Sequence, residues 1–81
     1  STDIKIYIQL NVPDNTTTEV FYTTRSNLNF SALLTMREQV VRGGNEIVIS
    51  ISSPDPITRI RLDPGTIAGY YSIKKLEVRS N

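Results

Sequence analysis

The 81-residue chain contains no cysteine, no histidine and no tryptophan. The first two absences exclude disulfides, thiolate nucleophiles, histidine-based catalytic triads and nearly all zinc and copper sites. An excess of one charge is also missing, because 9 basic side chains are balanced by 8 acidic ones. Affinity for nucleic acid depends on clustered Lys and Arg, so no nucleic-acid partner is expected.

The length of the chain is that of one small domain with little room for a deep catalytic cleft. Residues 1–81 are therefore predicted to form a single domain. Because Ser1-Thr2-Asp3 leads directly into a strand pattern, we expect this domain to be excised from a larger protein. No apolar run approaches the roughly 20 residues that a membrane-spanning helix requires.

The abundant residues favour β-structure. There are 10 isoleucines, 6 valines and 9 threonines but only 2 alanines, and β-branched side chains pack well on pleated surfaces. About six short segments with alternating apolar and polar residues are separated by turn residues. The sequence thus predicts an all-β fold, a small antiparallel β-sandwich of jelly-roll-like type.

The first strand has the clearest pattern. Aliphatic side chains occupy every second position from Ile4 to Val12, which places them on one face. Glu19–Thr24 carries apolar side chains on both faces and is predicted to be buried on one side and partly covered on the other. The remaining predicted strands are Glu46–Ser52, Ile57–Asp63 and Tyr70–Arg79.

The segment Asn27–Arg42 is ambiguous. Apolar spacing with Ser31 as N-cap allows a helix over Ser31–Val41. We prefer a strand at Gln39–Arg42 that forms one arm of a hairpin through Gly43-Gly44-Asn45. Nearer the start of the chain, Thr16–Thr18 is interpreted as an exposed loop.

The last strand departs from alternation. Its apolar positions are Tyr71, Ile73, Leu76 and Val78, and the offset of three residues predicts a β-bulge near Lys74-Lys75. Because Tyr70 and Tyr71 are adjacent, one is expected in the core and the other on the surface.

The polar face of the first strand supplies the candidate ligand-binding residues, which are Lys5, Tyr7, Gln9 and Asn11. A tyrosine ring can stack on a sugar, and polar neighbours can bind its hydroxyl groups. An ordinary cross-strand tyrosine is the alternative. The acidic residues show no pattern that pairs two of them for catalysis, so no enzyme activity, catalytic residue, metal or cofactor is predicted. A structural calcium site built from Asp3, Asp55, Asp63 and loop carbonyls is a weaker alternative.

Three motifs in the second half of the chain carry a family resemblance: Gly43-Gly44-Asn45-Glu46-Ile47, then Ile57-x-x-Ile60-Arg61-Leu62-Asp63-Pro64-Gly65, then Ile73-x-x-Leu76-x-Val78. With the upstream Val20-Phe21-Tyr22 and Asn29-Phe30-Ser31, the chain over Glu19–Val78 resembles the β-sandwich accessory domains of bacterial glycosyltransferases that act on cell-surface polysaccharides. Within this resemblance Arg61, Asp63 and Pro64 are framework positions, and no binding residue is transferred from the family.

The resemblance implies a noncatalytic module, similar to carbohydrate-binding modules, that binds or positions a glycan or polysaccharide. Its partners would be that glycan and a neighbouring catalytic domain of the same chain. The implied location is the bacterial cytoplasm, at the membrane through the parent protein, with the cell surface as the alternative. A structural module that packs on a catalytic domain or forms a homo-oligomer without binding sugar is the second hypothesis. A calcium-stabilised adhesion-type sandwich is the third.

Overall fold

The computed structural model describes residues 2–80, which form six β-strands and no helix. The strands are β1 (Thr2–Val12), β2 (Thr16–Thr24), β3 (Thr35–Val40), β4 (Gly43–Ser53), β5 (Ile57–Asp63) and β6 (Ser72–Ser80). They make two three-stranded antiparallel sheets, sheet A in the order β4-β1-β6 and sheet B in the order β3-β2-β5. The prediction of an all-β antiparallel sandwich is confirmed.

The strand pairing is nested, as in a jelly roll. β1 pairs with β6, and Ile4 lies opposite Ser80, while β2 pairs with β5 in the other sheet. β3 and β4 do not pair with each other, because β3 joins β2 and β4 joins β1. The chain thus winds between two sheets with six strands, two fewer than a full jelly roll.

The core lies between the sheets and follows the alternation of the sequence. All five aliphatic side chains of β1 are buried, and Ile49 and Ile51 of β4 lie beside them in the same sheet. Sheet B contributes Val20 and Val40. The predicted inner face of the first strand is therefore confirmed.

Threonines of β2 extend the core in an unexpected way. Thr16 and Thr18 are buried residues of the strand, so the prediction of an exposed loop at Thr16–Thr18 is wrong. The Thr18 hydroxyl donates a hydrogen bond to the carbonyl oxygen of Pro64 at 2.9 Å, and the Thr16 hydroxyl lies 3.1 Å from that of Thr66. Within residues 2–80 no buried side-chain nitrogen or oxygen lacks a partner. These bonds offset the desolvation cost of the buried hydroxyls.

The ambiguous segment forms turns followed by β3 and no helix, so the prediction of a strand is confirmed, but β3 begins and ends earlier than the predicted Gln39–Arg42. The predicted hairpin is wrong, because β3 and β4 belong to different sheets and Gly43 and Gly44 are the first residues of β4. The connection is held by Asn45, whose side chain accepts a hydrogen bond from the Val41 N–H and donates to the Val41 and Gly43 carbonyls. Side-chain bonds of this kind stabilise a tight crossover as well as they stabilise a hairpin turn.

The outer face of sheet B is partly covered by the loop that precedes β3, as predicted for Glu19–Thr24. The Arg61 guanidinium lies 4.4 Å from the centre of the Phe21 ring and 5.0 Å from that of Phe30. Arg61 also pairs with Asp63 at 3.1 Å. Thr23 is fully buried, and its hydroxyl lies 2.9 Å from that of Thr58. Aromatic and arginine side chains therefore cover part of this face.

The last strand contains the predicted β-bulge. Gln9 lies opposite Lys75 and Leu10 opposite Ile73, so Lys74 is the extra residue. Tyr70 and Tyr71 precede the strand rather than belong to it. Tyr70 is exposed and Tyr71 packs against the core, as predicted.

No helix in residues 2–80 has the length and apolar character that crossing a membrane requires.

Candidate functional site

The candidate residues of β1 all lie on the outer face of sheet A. The alternation that buries Ile6 and Ile8 turns Lys5, Tyr7 and Gln9 to the opposite side, and Asn11 follows in the same row. β1 is the central strand of this sheet, with β4 on one side and β6 on the other. The row is therefore flanked by side chains from both neighbours.

Two shallow depressions follow this row. The first has a volume of about 370 Å³ and is lined by Tyr7 and Gln9 of β1, Glu46 and Val48 of β4, and side chains of β6. The second, of about 350 Å³, is lined by Gln9, Leu10, Asn11, Gly44, Asn45, Glu46 and Lys74. The two share Gln9 and Glu46 and form one groove, which we call the sheet A groove. Lys5 lies on the same face but lines neither depression.

The floor of the groove combines an aromatic ring with polar groups. The Arg79 guanidinium carbon lies 4.5 Å from the centre of the Tyr7 ring, within the range of a cation–π contact. Because Arg79 covers one face of the ring, a ligand that stacks on Tyr7 would use the other face. Next to it, the Gln9 side-chain amide donates a hydrogen bond to Glu46 Oε1 at 2.6 Å. The groove thus presents preordered donors and acceptors beside one aromatic platform.

Charge along β6 centres on Glu77. Its carboxylate lies 3.0 Å from Arg79 and 3.5 Å from Lys75. The hydrogen bond from Arg79, with the positive charges of Arg79 and Lys75, holds the pKa of Glu77 below its usual value of 4.5. A general acid requires the opposite shift, so this environment suits a fixed anion that orients its neighbours and not a proton donor.

The structure does not bring the acidic residues of the calcium hypothesis together in residues 2–80. No group of three or more carboxylates there has the geometry to hold a metal ion. Asp3 accepts a hydrogen bond from the Ser52 hydroxyl at 2.6 Å, and Asp63 pairs with Arg61. Each of these two carboxylates thus has a local partner that explains its position.

Sequence reasoning identified the β1 part of the groove and missed its walls. Glu46 and Val48 of β4, and Lys75, Glu77 and Arg79 of β6, line the same depression as Tyr7. The alternation within each strand shows which residues share a face. It does not show that β4 and β6 are the two neighbours of β1, which depends on pairing between distant parts of the chain.

Comparison of the chain with protein-family models, with curated proteins and with solved structures finds no match. The resemblance to glycosyltransferase accessory domains therefore depends on the sequence motifs alone, and the functional argument depends on the geometry of the groove.

Proposed function

We propose that the protein is a noncatalytic glycan-binding module that binds its ligand along the sheet A groove. The observation that carries this proposal is the placement of Tyr7, Gln9 and Asn11 in one continuous groove, with polar side chains of β4 and β6 as its walls. A sugar offers an apolar ring face and many hydroxyl groups, and this groove offers a ring and many hydrogen-bonding groups.

The dimensions of the groove suit a short oligosaccharide. From Tyr7 to Asn11 the strand advances four residues, or about 13 Å at roughly 3.3 Å per residue. The groove is open along its length and shallow, which favours a sugar chain lying along β1 rather than a small molecule enclosed in a pocket. In this proposal the glycan belongs to a polysaccharide handled by a catalytic domain of the same parent protein.

The charged side chains that line the groove indicate which kinds of sugar it prefers. Lys74, Lys75 and Arg79 line the groove with two carboxylates, those of Glu46 and Glu77. Glu46 is engaged by Gln9 and Glu77 by two cations, whereas Lys74 belongs to no ion pair that the structure describes. The groove therefore favours neutral or acidic sugars over cationic ones.

The test is a titration of the isotopically labelled protein with polysaccharide fragments that contain rhamnose, galactose or mannose, followed by amide chemical shifts. We expect saturable shifts that concentrate on Tyr7, Gln9 and the facing residues Glu46 and Val48. Tyr7→Ala should weaken binding by roughly 10-fold, since loss of one aromatic contact costs about 1.4 kcal/mol or slightly less.

Tyr70→Ala is the matched control, because Tyr70 is 97% exposed and lies outside the groove. It removes the same side chain and should leave the affinity unchanged. Absence of shifts across the whole panel at millimolar ligand, or equal affinity of the Tyr7→Ala variant and the wild type, would refute the proposal.

A further inference from the structure

Strand β6 exposes apolar side chains that face the core side of its sheet. Val78 lies opposite Ile6, Leu76 opposite Ile8 and Ile73 opposite Leu10, so all three share the inner face of sheet A. Their partners on β1 are 1–2% exposed, whereas Val78 is 53%, Leu76 51% and Ile73 47% exposed. The inner face of β6 therefore carries the aliphatic side chains typical of a core, but these side chains are about half exposed.

Strand β5 of sheet B is also exposed on its inner face. On β5, Ile60 lies opposite Tyr22 on the inner face of sheet B and is still 38% exposed. The inner face is therefore exposed at both of these edge strands, through Ile60 of β5 and through Ile73, Leu76 and Val78 of β6.

The edge strands differ in how they are protected against pairing. Natural edge strands often carry an inward-pointing charge, which prevents another strand from adding to the sheet. β3 has such a charge, since Glu38 lies opposite Thr18 on the inner face of sheet B. The paired inner positions of β6 from Ile73 to Val78 carry only aliphatic side chains. Of these two edges, β6 is the one suited to accept a strand.

The outer face of β6 is complementary to itself. Glu77 lies between Lys75 and Arg79 on that face. In an antiparallel pair related by a two-fold axis at Leu76, Lys75 of each copy faces Glu77 of the other, and Leu76 faces its own copy. Leu76 is the central residue of β6, and this register holds from Lys75 to Glu77, next to the bulge at Lys74. Cross-strand pairs of opposite charge and of aliphatic residues both stabilise a sheet.

Antiparallel pairing of two copies through β5 about a two-fold axis is unfavourable. A two-fold axis at Ile60 would place Arg59 of one copy opposite Arg61 of the other. An axis at Arg61 would bring two arginines directly together. Like charges in facing positions destabilise a sheet, so the charge pattern selects β6 over β5.

From this pattern we propose that two copies of the protein associate through β6. The strands pair antiparallel about a two-fold axis at Leu76 and make a continuous six-stranded sheet in the order β4-β1-β6-β6-β1-β4. Leu76 of one copy then lies beside Leu76 of the other on a continuous apolar inner face, and the interface is closed and isologous, as in most homodimers. The two sheet A grooves then lie on one continuous surface. The dimer does not depend on the glycan proposal.

Sedimentation of the wild-type protein over a range of concentrations tests the proposal. The chain has a mass of 9.1 kDa, and a species of twice that mass is expected. Val78→Lys, which places a charge on the inner face of β6, should sediment as a monomer. Val41→Lys is the matched control, because Val41 is 61% exposed in the β3–β4 connection and should leave the dimer intact. Amide spectra of both variants should show folded protein.

A charge exchange tests the register. Glu77→Lys makes the outer face of β6 wholly cationic, and the double change of Lys75→Glu with Arg79→Glu makes it wholly anionic. Each variant alone should be monomeric, and their mixture should restore a heterodimer. A wild type that remains a monomer up to about 1 mM, where even a weak interface is substantially populated, would overturn the proposal. So would a folded Val78→Lys variant that dimerises like the wild type, or a mixture of the charge variants that stays monomeric.

Discussion

Two glycines allow backbone strain to be separated from steric collision in this fold. Gly43 has a φ of +97° and Gly69 a φ of +144°, and L-residues rarely adopt either value. A Cβ atom at Gly43 would meet no atom within 4 Å, whereas one at Gly69 would lie 2.6 Å from Cγ and 2.8 Å from Cβ of Pro13. Gly43→Ala therefore introduces strain alone, at a cost of about 1–2 kcal/mol. Gly69→Ala adds overpacking against a proline ring that is fixed to the backbone, at a further cost of about 1–3 kcal/mol.

Urea unfolding of the two variants measures this difference, and each kcal/mol should also lower Tm by about 4–8 °C in a domain of this size. The collision has its own control, because Pro13→Gly removes the ring. In that background Gly69→Ala should cost about as much as Gly43→Ala does in the wild type. Equal destabilisation by Gly43→Ala and Gly69→Ala, or a cost of Gly69→Ala that does not fall in the Pro13→Gly background, would refute the reasoning.

Three further outcomes are expected. Thr18→Val should lower the free energy of unfolding by about 1 kcal/mol, because it removes the hydrogen bond to Pro64 without changing the volume much, and urea unfolding measures the loss. Asn45→Ala should cost about 1–2 kcal/mol through its three hydrogen bonds in the β3–β4 connection, with amide hydrogen exchange showing faster opening of that connection and not of β1. The pKa of Glu77 is lower in the folded protein than its usual 4.5, so its stabilising contribution is complete above that value and is lost as the pH falls through the folded pKa. The Tm difference between wild type and Glu77→Gln should therefore be largest near pH 7 and shrink in acid, and a difference that is constant with pH would contradict the assigned ion pairs with Lys75 and Arg79.

Local patterns in the sequence predicted most of the individual strands. The uninterrupted alternation from Ile4 to Val12 gave the inner face of β1, because a strand with one buried face must repeat every two residues. The three-residue offset between Ile73 and Leu76 gave the bulge at Lys74, since only an extra residue keeps both side chains on one face. These features depend on neighbouring residues alone.

Features that depend on distant residues were not predicted. Thr18 is buried because its hydroxyl finds the carbonyl of Pro64, 46 residues later, and nothing in a run of three threonines indicates that partner. The hairpin at Gly43 was a reasonable local prediction that failed because β3 and β4 each find a better partner in a different sheet. Tertiary pairing overrides local turn preference in such cases.

The candidate site shows the same division. Tyr7 and Gln9 could be placed on one face from alternation, but the walls from β4 and β6 required the strand order. The exposed fraction of a side chain could not be predicted from the alternation of apolar residues either. Leu76 has the periodicity of a core residue and is half exposed, because periodicity reports which face a side chain lies on and not whether another layer covers it.

The nested pairing of β1 with β6 has a mechanical consequence. Because the two strands are antiparallel neighbours and Ile4 lies opposite Ser80, the start of β1 and the end of β6 lie side by side at the same end of sheet A. Tension applied between residues 4 and 80 would therefore load their hydrogen bonds one after another, starting at that end, instead of all at once along the strands. The fold is expected to yield at low force by peeling β6 away from β1, the strand that forms the centre of its core.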